Sequence, residues 1–118
     1  MNLGSEQIMN GSHELMREEI DALAEPAVVE FGSADCGHCR AAQPLVAAAL
    51  EHYPALRHIK IEDGPGRKLG RSFRVKLWPT LIFLRQGREV ARLVRPADAQ
   101  AIEQALRRTD GGNAKGDS

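Results

Sequence analysis

Ala27-Val28-Val29-Glu30-Phe31-Gly32-Ser33-Ala34-Asp35-Cys36-Gly37-His38-Cys39 decides how the rest of the chain is read. Its first five residues are apolar except at Glu30 and suit a short interior strand. Its end carries both cysteines of the chain, three residues apart, and the residues after Cys39 have a helical pattern. The pair therefore falls at a strand-to-helix junction. Side chains at i and i+3 share one helix face, so a single turn can hold them as a dithiol or a disulfide. At a helix N-terminus, free N–H groups and the macrodipole stabilise negative charge on the first sulfur. This is the setting for thiol–disulfide exchange.

Cys36, Cys39, His52 and His58 also fit the spacing of a two-cysteine, two-histidine zinc finger. That reading needs both histidines on one helix, and Pro54 between them would break it. His58 sits in Leu56-Arg57-His58-Ile59-Lys60-Ile61, which alternates like a strand. No metal and no other cofactor is expected.

The 118 residues suit one domain, large enough to bury roughly two thirds of its unfolded surface. Such a core needs no staple, so the two cysteines are not a structural framework. Met1 to Gly11 shows neither a basic n-region nor an apolar h-region, and no stretch approaches a membrane span. A cytoplasmic location is the expectation, where a catalytic disulfide is more usual than a structural one. The net charge of zero hides an asymmetry: residues 1–63 carry 4 basic and 11 acidic side chains, and residues 64–95 carry 9 and 1. Arg67, Lys68, Arg71, Arg74 and Lys76 are densest. Only Phe73 and Trp78 accompany them as aromatics, too few for a stacking platform, so nucleic acid is not an expected partner. The block is either a solvated face or a surface that steers acidic partners.

Gln7-Ile8-Met9-Asn10 reads as a short first strand. Ser12 is a candidate cap for a helix whose apolar face is Leu15, Met16, Ile20 and Leu23, ended by Glu25-Pro26. The strand Ala27–Phe31 follows, then a helix from Cys36 to His52, with Pro44 inside it removing one backbone bond. Leu56–Glu62 is a strand, 67–73 a short basic helix, and Thr80–Leu84 with Glu89–Val94 a hairpin about Arg85-Gln86-Gly87-Arg88. Asp98–Arg108 closes the chain as an amphipathic helix. The division is a flexible N-terminus over 1–6, one domain over 7–108 and a disordered tail over 109–118. The fold class is α/β: a central mixed sheet of four to five strands with helices on both faces.

In this order the chain resembles the thioredoxins. The resemblance rests on the acid in Val29-Glu30-Phe31, the Cys36-Gly37-His38-Cys39 motif, Pro44 five residues past the second cysteine, and Trp78-Pro79-Thr80 ahead of the hairpin. There are departures. Thioredoxins usually carry aromatics at the positions of Gly32 and Asp35, and a glycine near Arg95. The CGHC motif and a glutamate in place of the usual aspartate are like those of protein disulfide isomerases.

Cys36, first on the helix, is the candidate nucleophile; His38 and Arg40 favour its thiolate and Asp35 opposes it. Cys39 is the resolving thiol, which attacks the mixed disulfide and releases the reduced substrate. A protonated His38 would favour the reduced form. Glu30 is costly to bury charged; the resemblance implies that it exchanges protons with Cys39 through water. The resemblance also implies a cis Pro79 packed against the dithiol, and a Trp78 backbone that pairs with an extended substrate as an added strand. The Trp78 ring is either core filler or a lip of that groove. Thr80 and Arg95 complete the expected substrate-binding set. The implied activity is reduction or isomerisation of protein disulfides by a monomer, with electrons from a thioredoxin reductase or glutathione. A binding or assembly module with little turnover is the alternative.

Overall fold

The computed structural model describes residues 5–8 and 15–110. The elements are β1 (Ser5–Ile8), α1 (Arg17–Asp21), β2 (Ala27–Gly32), α2 (Gly37–Leu50), β3 (Arg57–Glu62), α3 (Lys68–Ser72), β4 (Thr80–Arg85), β5 (Arg88–Val94) and α4 (Ala99–Thr109). They build one five-stranded sheet in the order β1-β3-β2-β4-β5. β3 runs parallel to both β1 and β2, whereas β4 is antiparallel to β2 and to β5.

β2 is the middle strand, buried along Ala27–Phe31. Strands covered on both faces read as continuous apolar runs, and β2 and β4 are so composed. Alternation sorts their side chains. Val29 and Phe31, with Ile59, Ile61, Ile82 and Leu84, meet Ile20 of α1 and Leu69 of α3 on one face. Val28, with Leu81 and Phe83, meets Val46 and Ala49 of α2 and Ile102, Ala105 and Leu106 of α4 on the other. Glu30, two residues from Val28, therefore points to the face covered by α2.

The termini of the elements have local causes. Asp98 caps α4 by accepting the Ala101 N–H at 3.0 Å, as an N-terminal aspartate does. α4 continues past Arg108 to Thr109, whose side chain is buried and donates to the Ala105 carbonyl at 2.6 Å. Thr109 thus belongs to the helix, not to a tail. The first strand begins two residues before the expected Gln7, so Ser5 and Glu6 pair with His58 and Ile59 instead of lying in a flexible end. Met9, Asn10 and the expected Ser12 cap lie outside the described residues, as does 111–118. α1 is shorter than its apolar pattern: Met16 is its cap, its backbone N–H donating to the Glu19 carboxylate at 2.8 Å. α2 ends at Leu50 rather than His52. In the hairpin, Gln86 and Gly87 both take positive φ, 51° and 78°, the two-residue geometry whose twist matches that of the strands.

Candidate active site

Cys36 is the N-cap of α2, with extended backbone. Its sulfur accepts the N–H of Cys39 at 3.1 Å, taking the part that a serine or aspartate oxygen plays at other helix starts. The helix thus begins one residue later than its pattern suggested, and one of its orphan N–H groups is aimed at the first sulfur. Both cysteines are free thiols and half-buried. They are not equivalent. The Cys39 thiol is pushed up from 9.0 to about 11, first by burial, then by its hydrogen bond to Cys36 and by the charges of Cys36 and Glu30; a backbone hydrogen bond with Ser33 pulls the other way. His38 is exposed between them. Arg40 reaches back to the Ala34 carbonyl at 3.4 Å.

Gly32 ends β2 directly beneath. A Cβ there would stand 2.7 Å from the Cys39 sulfur, closer than carbon and sulfur tolerate. A larger residue at this position would require the Cys39 side chain to shift from its present rotamer.

Glu30 is not at an edge. It lies on the central strand, 6% exposed, and its Oε1 is 2.7 Å from Nε2 of His58, which is also 6% exposed. His58, weighed above only as a zinc ligand, is its partner. His52 is exposed and contacts Glu103 at 2.7 Å, so the residues that fit the finger spacing are dispersed; among the described residues no group of three ligands is gathered for a metal. A cleft of about 330 Å³ opens beside the dithiol, and Glu30 and Cys39 both line it, with Gly32, Arg40, Lys60 and Glu62.

The Trp78–Pro79 peptide is cis and Pro79 is buried. The Trp78 ring is half-buried against the α1–α3 side of the core, and its indole N–H donates to Asp63 Oδ2 at 2.9 Å. The ring is anchored at its polar end, so neither bare core filler nor a free lip describes it. Asp63, missed in the sequence, also donates its own N–H to the Gly32 carbonyl at 2.7 Å, tying this loop to the end of β2. Thr80 corrects an expectation. It is 1% exposed and its hydroxyl donates to the Leu77 carbonyl at 2.6 Å, so its side chain supports the loop from within and does not face a substrate. Arg95 has φ 50°, a conformation glycine takes at little cost and other residues do not. Its backbone N–H donates to the Pro79 carbonyl at 3.0 Å and its Nε to the Trp78 carbonyl at 2.8 Å. Leu77 and Val94, next in sequence to Trp78 and Arg95, are exposed at 48% and 46%. The expected residues are thus placed by two features: the dithiol and Glu30 by the β2–α2 junction, and Trp78, Pro79 and Arg95 by the loop leading into the hairpin.

The thioredoxin family profile matches residues 7–108. Thioredoxin 2 from Pseudomonas aeruginosa PAO1, solved in its reduced form, is 56% identical and superposes with a TM-score of 0.76 over 86% of this chain and 94% of that one. Thioredoxin-1 of Saccharomyces cerevisiae is 32% identical over 79 residues, 67% of this chain and 76% of that protein. The human protein disulfide-isomerase A2 is 37% identical over 93 residues, which cover 74% of this chain but 18% of that protein. With two thiols held on one helical turn and a match running from the first strand to the last helix, the chain belongs to the thioredoxin family and is a thiol–disulfide oxidoreductase.

Proposed function

We propose that the chain works chiefly as a reductase of protein disulfides, with Cys36 attacking, Cys39 resolving and Glu30 accepting the Cys39 proton. The observation that carries this reading is the asymmetry of the two sulfurs. Cys36 receives a helix N–H at 3.1 Å, which stabilises a thiolate. The Cys39 thiol is pushed up to about 11, so at neutral pH only on the order of one molecule in 10⁴ carries a free Cys39 thiolate. Cys36 therefore attacks first. In the mixed disulfide the Cys36 share of that shift is gone, but burial still favours the protonated Cys39 thiol, so a base is needed to take its proton. The cleft shared by Glu30 and Cys39 supports a water-relayed transfer. His38, exposed beside the pair, favours the reduced dithiol when protonated and lends the site some isomerase character.

The substrate lies along the Trp78-Pro79 loop, flanked by the exposed apolar Leu77 and Val94 and by the cations Arg74, Lys76 and Arg95. Acidic partners suit that rim. The protein acts as a monomer in the cytoplasm, re-reduced by a thioredoxin reductase or by glutathione.

The test is trapping. Cys36→Ser abolishes reduction of insulin disulfides, and Cys39→Ser accumulates mixed disulfides with its partners, because the resolving thiol is gone. Full multiple turnover by Cys39→Ser would overturn the assignment of roles.

A further inference from the structure

We propose that His58 is a positioning residue for the resolving step: it and Glu30 form one buried acid–base pair, and the pair, not the carboxylate alone, sets how readily the Cys39 proton is taken up. This rests on Glu30 as the acceptor and deepens that reading.

Three observations carry it. His58 Nε2 and Glu30 Oε1 are 2.7 Å apart with both side chains 7% exposed, a buried contact that must be a hydrogen bond whichever group holds the proton. The β2–β3 register places His58 beside Val28 and Lys60 beside Glu30, so these side chains rise from one face of the sheet, under α2. The cleft is lined by Glu30 and Cys39, and its volume admits several waters. His58 is not among the residues that line the cleft, and its hydrogen bond to Glu30 joins it to one that is.

One oxygen of Glu30 is thereby committed to the imidazole, leaving the other for the incoming proton. In the resolving step the Cys39 S–H bond breaks and its proton passes through water to Glu30. The Cys39 sulfur attacks the Cys36 sulfur of the mixed disulfide, and the bond from Cys36 to the substrate sulfur breaks. The substrate leaves as a thiolate with that electron pair, and the Cys36–Cys39 disulfide forms. The dithiol has lost two electrons and the substrate disulfide has gained them. A neutral imidazole donates its Nε2–H to Oε1 and so fixes the carboxylate, and the arriving proton rests on the other oxygen. An imidazolium holds the carboxylate as its counter-ion and makes it a poor acceptor, so resolution slows on the acid side of the imidazole titration. The other charged or titratable groups that line the cleft with Glu30 are Cys39 and Arg40 from α2 and Lys60 and Glu62 from β3; its register neighbour on β4 is the apolar Leu81. All of these remain when His58 alone is changed.

The experiment is a stopped-flow single turnover of the reduced full chain with dithiobis-nitrobenzoate, which releases one coloured thiolate at Cys36 attack and a second at resolution. His58→Gln keeps an N–H near Oε1 but cannot titrate. It leaves the first phase unchanged, slows the second by about tenfold at neutral pH, and removes one step from the pH profile of the second phase. Glu30→Gln slows the second phase further. If His58→Gln matches the wild type across pH while Glu30→Gln is slow, the pair is refuted and Glu30 stands alone. If neither variant affects the second phase, the acceptor role of Glu30 falls with it. Should His58→Gln not fold, nitrogen NMR of the wild-type ring decides. A His58 titration that differs between the dithiol and the disulfide supports the coupling, and an identical one overturns it.

Discussion

At the residue scale, the structure reverses what a lone acid on an apolar strand suggests. From sequence alone, exchanging Glu30 for an apolar residue removes a group that is costly to bury and stabilises the fold. With His58 2.7 Å away in the same buried layer, Glu30→Ala removes the carboxylate partner of a buried imidazole. We expect a loss of about 1–3 kcal/mol in chemical denaturation, partly recovered when both residues become leucine. A stabilised Glu30→Ala would refute the pairing. Cys39 carries a second prediction. Its folded-state value near 11 stands above its ordinary 9.0, so between these values the unfolded chain has lost the proton that the folded chain keeps. The contribution is full below about pH 9 and is lost as pH rises to about 11. Denaturation midpoints of the reduced protein should fall more steeply over that window than those of Cys39→Ala. Parallel curves would show that the shift is absent. The importance of Glu30 was legible because an acid interrupts Val28-Val29 and Phe31. Its partner was not, because strand register depends on tertiary pairing, which no local pattern in β3 announces.

At the element scale, the loop from Trp78 to β4 is held by a return contact from the end of β5. Arg95 spends a positive φ there and in exchange bonds the Trp78 and Pro79 carbonyls. Arg95→Ala keeps the conformation and loses the guanidinium contact, whereas Arg95→Gly loses the contact but relieves the backbone. Alanine should therefore be the less stable of the two by about 1 kcal/mol, measured by thermal or chemical denaturation. Equal stabilities would show that the left-handed conformation carries no cost here. The elements themselves were largely readable, since periods of 2 and 3.6 follow from which face is buried. Their ends were less so. α2 starts at Gly37 because the Cys36 sulfur accepts the Cys39 N–H, a role that cap preferences do not assign to cysteine. The inward turn of Thr80 follows from a loop contact with no sequence signal.

At the scale of the whole molecule, the basic block of residues 64–95 is not one surface. Arg74 and Lys76 are exposed within four residues of Trp78, and Arg95 is exposed and bonded to it. Arg85 and Arg88 face each other at the hairpin end of the same strands. β4 runs from Thr80 to Arg85, so the two groups stand about 17 Å apart at the strand rise. That exceeds the screening length of about 8 Å at physiological ionic strength. Arg92 is engaged by Glu89 at 2.8 Å. Of these two groups, the first is the one placed to act on a substrate lying along the Trp78 loop, where the exposed Leu77 and Val94 supply apolar contact. Neutralising Arg74 and Lys76 to glutamine should lower kcat/KM for an acidic disulfide peptide several-fold at low salt and flatten its salt dependence. It should leave a basic peptide unchanged or faster. Neutralising Arg85 and Arg88 should alter neither peptide. Equal losses from the two pairs would mean that net charge, and not the placement of charge around the loop, governs association.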